Sequence, residues 1–588
     1  MVPQNKNELY KAIKRVRIWY GLLILVVAVF GVRLFDLQVL QYQHYKTAAL
    51  SDQLKQYEIP ASRGIIEAHN DGKIVPIVLN QQLYTLYADP TIVKQADKSA
   101  AKLAPIIHAK ASDLSGLMQT KDTRYVILGK KLTADQQKKI AKLELPGVGT
   151  QGQDYRTYAQ GELASQILGF VNDSGSGEYG IEQALNNKLS GTPGQLKAIT
   201  DVNGVPLAAS KDNTKVAPKN GDNVVLTIDM AMQAQLESIV KAGAKHAGAQ
   251  AASALIMDPD TGAIKAMANY PTYDPAKYSQ VSDANDFQNA AVDHPIEVGS
   301  IMKTLTTSAS LDQGIIQPST TFYDPAHWKV DGFTITDIEE DGGPGTRSIA
   351  DILNLSLNTG ATWMLMQMGG GQINTKARTT WHDYMVNHFQ LGKPTGIEQG
   401  YEAGGYIPSP ADNGAGIDLT YANTSFGQAM TATPLQMGAA LSSVLNGGTY
   451  YKPYLVDQMI DDSGHAITTK PKVVQTDVVG PKVGQEMIPL MQYVVNHHNF
   501  ARSFDQAHYM VGGKTGTAQI AKPGGGYYDD LFNGTYMGFV GGNKPQYVIV
   551  VFVYKPTIGG YAGTAAAQPI FGNLAHMLID NSYVTPKS

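Results

Sequence analysis

Three short motifs carry the hydroxyl, amine and amide side chains that acyl transfer requires. In chain order they are Ser300-Ile301-Met302-Lys303, Ser356-Leu357-Asn358 and Lys514-Thr515-Gly516-Thr517. Each motif is weak alone, because Ser99-Ala100-Ala101-Lys102 has the same Ser-x-x-Lys spacing in a region without other catalytic signals. The order of all three is typical of serine acyl-enzyme chemistry, and the prediction depends on that order.

The first two motifs predict an activated serine. Positions i and i+3 of a helix share a face, so Lys303 is expected beside the Ser300 hydroxyl. A serine is a poor nucleophile until a base takes its proton, and a lysine serves as that base only if burial or nearby cations lower its pKa. We therefore expect Lys303 to act as the base, Ser356 to relay a proton and Asn358 to orient a substrate amide. Lys514 would add positive potential near Ser300 and help keep Lys303 neutral.

The third motif predicts a strand that contacts the substrate. Gly516 has no side chain, so the strand backbone at this position could approach a bound peptide closely. The backbone N–H groups of Ser300 and Thr517 are candidates for an oxyanion hole.

The elements around these motifs predict an α+β domain over 221–588. Apolar strand patterns occur near both ends of this segment, and a long helix-rich region separates them. One antiparallel sheet built from both ends of the segment accounts for that order. The predicted strands are 223–228, 252–257, 263–268, 536–540 and 547–554, and the predicted helices are 232–247 and 568–580. A polar stretch, 210–222, is expected to form a linker or exposed turn.

The N-terminus predicts a membrane anchor. Five basic residues lie within 6–17, and an uncharged apolar run follows at 18–32. This charge distribution keeps the preceding tail cytoplasmic and sends the following chain across the membrane. The run is shorter than the roughly 20 residues that a spanning helix needs. Either Arg33 snorkels at the outer edge, or the run is a cleaved signal sequence. No small-x-small cleavage site follows it, so we expect a retained anchor.

Composition excludes several other classes of site. The 588-residue chain has no cysteine, which removes thiolate nucleophiles, disulfides and cysteine-ligated metals. A net charge of -4 gives no reason to expect a nucleic-acid partner. The stretch 175–180 matches a dinucleotide fingerprint, but no second β-α-β unit follows it. Adjacent His497 and His498 lack a third ligand at zinc spacing, so a polar loop is expected there. No metal and no cofactor are predicted.

The motifs and their order resemble the class B penicillin-binding proteins over nearly the whole chain. The resemblance implies a penicillin-binding/serine β-lactamase-like transpeptidase domain on an elongated pedestal behind a single transmembrane helix. The implied boundaries are a cytoplasmic tail at 1–17, an anchor at 18–40, a pedestal of dimerisation type at 41–220 and a transpeptidase domain at 221–588. Besides the three motifs, the resemblance depends on residues 33–34, 37–39, 63–66, 180–182, 189–191, 226–229, 258–262, 297–300, 392–398, 426–428, 433–436 and 446–448.

The family resemblance implies a peptidoglycan D,D-transpeptidase at the bacterial cytoplasmic membrane, with its catalytic domain outside the cytoplasm. The enzyme would acylate Ser300 with a stem pentapeptide and pass the acyl group to an amine of a neighbouring stem. Thr515 and Thr517 match the positions that hold the terminal carboxylate, and β-lactams would acylate the same serine. The compact length resembles division-associated members. The implied protein partners are a polytopic SEDS-type glycosyltransferase and other division or elongation membrane proteins.

Two positions depart from the family pattern, and two other functions stay open. Val298 replaces the usual proline before Gly-Ser. Residues 67–72, Glu-Ala-His-Asn-Asp-Gly, stand where the family usually has Asp-Arg-Asn-Gly. A serine β-lactamase or D,D-carboxypeptidase shares the three motifs, although such enzymes normally lack the pedestal and anchor. A non-catalytic membrane scaffold or β-lactam sensor is the alternative from another class.

Overall fold

The structure is a computed structural model that describes residues 6–43, 45, 54–199, 214–337, 343–411, 414–498 and 503–588. The chain forms two compact units, Met1–Ala61 with Gly191–Asn220, and Ser62–Ser190 with Gly221–Ser588.

The first unit contains a long N-terminal helix and a small sheet. The helix covers Lys6–Phe35 and continues as a π-helical turn, Asp36–Leu40. Its segment Ile13–Leu40 contains an 18-residue window with a mean hydropathy of 2.3 and no buried residues, so the segment is long and apolar enough to cross a membrane. The candidate span is longer than the uncharged run at 18–32, because it includes flanking residues on both sides of that run. The antiparallel sheet joins Leu54–Ile59, Gly194–Ile199 and Thr214–Val216.

The prediction of a linker or exposed turn over 210–222 is wrong at Thr214–Val216, which forms a strand. These three residues pair with Gly194–Ile199, so they are not a turn. Residues 210–213 of the predicted linker lie outside the described residues.

The N-terminal part of the second unit is organised by a seven-stranded mixed sheet. Its longest strand, Lys73–Ala88, pairs with Val148–Tyr158 along most of its length. The remaining strands are Ile66–Asn70, Val126–Leu132, Asn223–Asp229, Val456–Ile460 and Ala466–Thr468. Helices Ala96–Ile107, Ala111–Met118 and Ala134–Ala141 bury Leu103, Leu114 and Ile140 in a common core.

A buried ion cluster holds this part together. Glu182 is 0% exposed, and its carboxylate accepts from Arg63 Nε at 2.7 Å and from Arg156 Nε at 2.7 Å. Two cations therefore compensate the single buried charge. The cluster joins segments separated by more than 100 residues, since Arg63 and Glu182 are 119 positions apart.

The second part of this unit is built on a five-stranded antiparallel sheet. The strand order is Ile264–Tyr270, Ala251–Met257, Pro545–Tyr554, Tyr527–Gly541 and Met510–Ala521. This order confirms the prediction of one sheet formed from both ends of the segment for the strands predicted at 252–257, 263–268, 536–540 and 547–554. The strand predicted at 223–228 belongs instead to the seven-stranded sheet, where it pairs with Ile66–Asn70 and Val456–Ile460. Helices Met230–His246 and Gln568–Asp580 pack against it through an apolar core, and the second helix has the predicted bounds.

The helix-rich middle of the chain packs on the sheet through the largest core cluster. Its longer helices are Met302–Asp312, Asn358–Met368, Thr375–Asp383, Ile417–Ser425, Pro434–Leu445 and Pro481–His497. The shorter helices and turns of the second unit are Ser165–Leu168, Gly180–Ala184, Asn186–Leu189, Pro275–Gln280, Ala284–Phe287, Ala290–Asp293, Gly299–Ile301, Ile349–Asn354, Tyr384–His388 and Gly563–Ala567. Two-stranded ribbons pair Phe170–Val171 with Gly177–Glu178, Thr321–Asp324 with Gly345–Ser348, His327–Val330 with Phe333–Thr336, and Tyr450–Tyr451 with Val473–Gln475.

Candidate active site

Ser300 lies in a tight turn at the start of a buried helix. The turn Gly299–Ile301 is 3₁₀-helical, and helix Met302–Asp312 follows it directly. Gly299 has φ +62, and a Cβ at this position would approach Thr517 O to 2.8 Å. Its N–H donates to Gly427 O at 2.9 Å. The turn therefore needs glycine both for its backbone conformation and for its close contact with the neighbouring strand.

Lys303 connects the first two motifs. Its side chain is fully buried, and its Nζ lies 3.0 Å from Ser300 Oγ and 3.2 Å from Ser356 Oγ. The same nitrogen donates to Asn358 Oδ1 at 2.9 Å and to Ser356 O. These last two oxygens belong to carbonyl groups and can only accept. A neutral amine has two hydrogens for them and one lone pair left to accept from a hydroxyl. The geometry therefore suits removal of a proton from Ser300.

The second motif combines an unusual backbone conformation with a fixed amide. Ser356 has φ +60, the left-handed region that non-glycine residues seldom occupy. Asn358 begins the next helix, and its Nδ2 donates to Thr336 O at 3.0 Å. That bond fixes which end of the amide is nitrogen, so the Oδ1 atom is the one that faces Lys303.

The third motif lies on Met510–Ala521, the last strand in the sheet order. Lys514 is buried, and its Nζ donates to Thr515 O at 3.0 Å and to Thr515 Oγ1 at 3.3 Å. Thr517 Oγ1 accepts from the N–H of Gly563 at 3.0 Å. The threonine side chains therefore have defined orientations along the strand.

The structure gives a second reason for a glycine at position 516, which the sequence did not reveal. A Cβ there would lie 2.2 Å from Thr535 Oγ1, 2.8 Å from Val298 O and 3.1 Å from Ile301 N. The missing side chain thus leaves space for the Ser300 turn and for a neighbouring strand residue.

The motifs meet at a cleft of about 690 Å³. Five of the eight predicted site residues line it, namely Ser300, Ser356, Asn358, Thr515 and Thr517. Lys303 lies beneath this surface within hydrogen-bond distance of three of them, Ser300, Ser356 and Asn358, whereas Lys514 and Gly516 belong to the strand that carries the threonines. The other lining residues are Thr336, Asp337, Asn354, Leu355, Phe426, Gln428, His497, His498, Gln519, Phe532, Tyr561 and Thr564.

Comparison with known protein families identifies the family that contains this arrangement of motifs. The profile of the penicillin-binding protein transpeptidase domain matches residues 252–576, more than half of the chain. The chain belongs to this family. The profile of the penicillin-binding protein dimerisation domain matches residues 58–226. Together the two matches confirm the predicted class B penicillin-binding protein and its α+β transpeptidase fold.

Individual relatives align with nearly the whole of this chain. Penicillin-binding protein PbpB of Mycobacterium tuberculosis is 28% identical over 593 residues, which cover 96% of this chain and 84% of the relative. Peptidoglycan D,D-transpeptidase FtsI of Escherichia coli is 24% identical over 574 residues, which cover 96% of this chain and 91% of the relative. The crystal structure of penicillin-binding protein 2X from Streptococcus thermophilus aligns with a TM-score of 0.71 at 23% identity, over 90% of this chain and 80% of that chain.

The histidine pair has a different setting from the one expected. His497 is the last residue of helix Pro481–His497, so the predicted polar loop is wrong at this residue. Both histidines line the cleft. Burial lowers the pKa of His498, and the neighbouring Lys514 and His497 lower it further. His498 therefore adds a neutral imidazole near Lys514 at neutral pH.

A second polar network supports the helix that begins at Asn358. Thr359 Oγ1 lies 2.8 Å from Asp324 Oδ1 and within hydrogen-bond distance of Asp337 Oδ2, while its N–H donates to Asp337 Oδ1 at 3.0 Å. Burial raises the pKa of Asp337. No sequence motif indicates this network, because Asp337 and Asp324 are 22 and 35 positions from Thr359 in the chain.

Glu297 links the nucleophile segment to Ala429 and to the strand Tyr527–Gly541. Its Oε1 accepts from Ala429 N–H and from Tyr527 OH, both at 2.9 Å. Burial raises the pKa of this carboxyl. Glu297 belongs to one of the motifs that resemble the family, so a signal for it was present in the sequence, although its contacts were not.

Proposed function

We propose that this chain cross-links peptidoglycan stem peptides through an acyl-enzyme on Ser300. Membership of the transpeptidase family and the name of the Escherichia coli relative support this activity. The observation that carries the assignment to specific residues is the position of Lys303 Nζ, 3.0 Å from Ser300 Oγ and 2.9 Å from Asn358 Oδ1.

The proposed acylation step uses each motif once. Ser300 Oγ attacks the carbonyl carbon of the penultimate D-alanine, and its proton passes to Lys303 Nζ. The negative charge that develops on the carbonyl oxygen is stabilised by the N–H groups of Ser300 and Thr517. As the C–N bond breaks, Ser356 Oγ gives its proton to the leaving amine of the terminal D-alanine and takes one from Lys303. The 3.2 Å distance between Lys303 Nζ and Ser356 Oγ supports this relay.

The second half of the reaction reverses these proton transfers. An amine of a neighbouring stem attacks the acyl carbon, and its proton passes to Lys303, directly or through Ser356. As the bond between the acyl carbon and Ser300 Oγ breaks, Lys303 returns a proton to Ser300 Oγ. Asn358 would orient the substrate amide, and Thr515 and Thr517 would hold the terminal carboxylate near the positive charge of Lys514. Gly516 leaves room for the turn that presents Ser300. β-Lactams would acylate the same serine.

The cellular setting follows from the N-terminal helix. We place residues 1–17 in the bacterial cytoplasm, 18–40 in the membrane, and the 41–220 pedestal and 221–588 transpeptidase domain outside the cytoplasm. The basic residues before the apolar helix support this orientation. A septal role, with a polytopic SEDS-type glycosyltransferase and other division membrane proteins as partners, completes the proposal. The FtsI relative supports that role.

A labelling experiment tests the assignment of Ser300. The detergent-solubilised full chain is incubated with a fluorescent penicillin, and the adduct is mapped by mass spectrometry. We expect a persistent adduct on Ser300 that Ser300→Ala abolishes. Ser99→Ala is the matched control, because Ser99 has the same Ser-x-x-Lys spacing and is 6% exposed on another helix. A folded wild type that never labels would instead support an inert scaffold.

The fate of the acyl group separates a transpeptidase from a hydrolase. With a donor pentapeptide and an amine acceptor, we expect a cross-linked product. Free acid as the main product, with rapid recovery from penicillin, would identify a carboxypeptidase or β-lactamase.

A further inference from the structure

A single carboxylate oxygen joins two segments that border the Ser300 cleft. Glu297 Oε1 accepts from the N–H of Ala429 and from the hydroxyl of Tyr527, both at 2.9 Å. Glu297 lies three residues before Ser300, so the chain passes from it into the nucleophile turn. Neither Glu297 nor Tyr527 lines the cleft or takes part in the proposed acylation. Their contact therefore calls for a separate explanation.

The bond to Ala429 holds the loop that carries Gln428, a residue that lines the cleft. Ala429 has φ +54, which lies in the left-handed region that favours glycine. A residue with a side chain keeps such a conformation only where surrounding contacts stabilise it, and the bond to Glu297 is one of these contacts. Glu297 thereby fixes the backbone beside Gln428.

The bond to Tyr527 holds one end of a β-bulge. The ladder pairs Gln519 with Phe532, and the next pair along it joins position 521 to Tyr527. Residues 528–531 therefore face a single residue of the neighbouring strand and bulge out of the ladder. Gln519 and Phe532, at the other end of the bulge, both line the cleft. The bulge is thus fixed at one end by the carboxylate and at the other by a pair that lines the cleft.

The strand direction places Gln519 on the acyl side of the proposed reaction. Side chains two positions apart along a strand share a face, and Thr515, Thr517 and Gln519 all line the cleft. The two threonines are proposed to hold the terminal carboxylate, which belongs to the leaving group. A donor that extends from that carboxylate past Ser300 reaches Gln519, about 7 Å beyond Thr517, with the part that becomes the acyl group.

Only one oxygen of the Glu297 carboxyl group makes these contacts. Its Oε2 is buried and has no hydrogen-bond partner among the described residues. Burial raises the pKa of this carboxyl, because a charge on the second oxygen would be poorly compensated. A glutamine at this position would keep the accepting oxygen and would put its amide nitrogen where the present oxygen also has no partner.

We propose that Glu297 and Tyr527 are positioning residues that set the selectivity of the enzyme for the acyl side of its donor. The pair holds the backbone beside Gln428 and the bulge that ends at Phe532, and it does not touch the reacting atoms. This inference rests on the proposed function, because it assigns a role within the same cleft. Loss of the Tyr527 bond should therefore affect a donor according to what that donor carries on its acyl side.

Two penicillins separate this effect from a general loss of activity. Benzylpenicillin and 6-aminopenicillanic acid share the β-lactam ring and the carboxylate, but only benzylpenicillin carries an acyl side chain on the carbon next to the reacting carbonyl. The second-order rate constant of acylation is measured for each compound on the detergent-solubilised full chain by intact-protein mass spectrometry. We expect Tyr527→Phe to lower the benzylpenicillin constant about fivefold to tenfold, as for one lost hydrogen bond, and the other constant less than about twofold.

Matched variants assign the change to the accepting oxygen. Glu297→Gln should keep the ratio of the two constants within about twofold of wild type, whereas Glu297→Leu should lower it about tenfold. Tyr278→Phe is the control and should leave the ratio unchanged, because the Tyr278 hydroxyl donates to Asp173 Oδ1 at 3.1 Å and neither residue lines the Ser300 cleft. The melting temperature shows whether each variant is folded. Tyr527→Phe removes a single oxygen atom and retains the test if Glu297→Leu does not fold.

Three results would overturn the proposal. The first is an equal fall of both rate constants in Tyr527→Phe, which would indicate a general effect on Ser300. The second is a folded Tyr527→Phe with the wild-type ratio, and the third is a Glu297→Gln variant as impaired in its ratio as Glu297→Leu. A wild type that neither penicillin acylates would be a different outcome, since it would refute the proposed function and this inference with it.

Discussion

Replacement of Gly516 by alanine tests whether the third motif positions the nucleophile through close backbone packing. The new methyl group would lie 2.2 Å from Thr535 Oγ1 and 2.8 Å from Val298 O. Carbon atoms in close-packed interiors sit about 3.5–4.0 Å from their neighbours, so the Thr535 hydroxyl must move by about 1 Å or more. That hydroxyl donates to Val298 O at 2.7 Å, two residues before Ser300. The displacement is therefore transmitted to the turn that presents Ser300.

The size of the effect follows from this displacement. Overpacking a core position by one methyl costs about 1–3 kcal/mol, and a misplacement of about 1 Å at a reacting group costs roughly 100-fold in rate. We expect Gly516→Ala to lower the second-order rate constant of acylation by a fluorescent penicillin about 10–100-fold. We also expect the melting temperature to fall by a few degrees.

Two further variants make this test specific. Gly116→Ala is the matched control, since its methyl group would meet no atom within 4 Å and it lies in the helix Ala111–Met118. The double variant Gly516→Ala with Thr535→Ala removes the nearest clash but retains Val298 O, so we expect partial recovery of the rate over Gly516→Ala alone. An unchanged rate and melting temperature for Gly516→Ala would refute the packing argument.

The remaining predictions concern a base, an ion cluster and a titrating group. Lys303→Met should lower the acylation rate constant about 10²–10⁴-fold, because the general base is lost; a folded variant with the wild-type rate would exclude that role. Arg156→Leu leaves Glu182 buried with a single cation, which should cost about 3 kcal/mol in urea unfolding without changing the acylation rate per folded molecule; an unchanged free energy of unfolding would contradict this. The pKa of Asp293 is raised to about 7 in the folded state, so the folded chain binds its proton more tightly than the unfolded chain, and stability falls as pH rises from about 4 to 7. Asp293→Asn should therefore raise the melting temperature more at pH 8 than at pH 5, and an equal change at both values would show that this carboxyl does not titrate as described.

The sheet was predictable because its signals are local. Apolar runs bounded by turn residues mark the strands 252–257 and 263–268 whatever the rest of the chain does. The closing helix was likewise predicted at its observed bounds, Gln568–Asp580. The antiparallel order then followed from a general rule of α+β architecture.

Other features depended on contacts that local sequence does not encode. Strand Thr214–Val216 is short and polar, and it forms through pairing with Gly194–Ile199. Ser356 occupies the left-handed region, where its own residue type gives no reason to expect it. The motif predicted that the backbone at Gly516 approaches a bound peptide closely. The atoms that exclude a side chain there come from residues 298, 301 and 535. In each case a distant segment sets the local conformation.

The network at Thr359 shows how such distant contacts favour one protonation state of a carboxyl group. A hydroxyl group has one hydrogen, yet Thr359 Oγ1 lies within hydrogen-bond distance of Asp324 Oδ1 and of Asp337 Oδ2. If both contacts are hydrogen bonds, one carboxyl group must supply the second hydrogen. Burial raises the pKa of Asp337 and so favours its protonated form. A neutral Asp337 would thus support the helix start that directs Asn358 Oδ1 toward Lys303, and no single stretch of the sequence contains the groups that make this necessary.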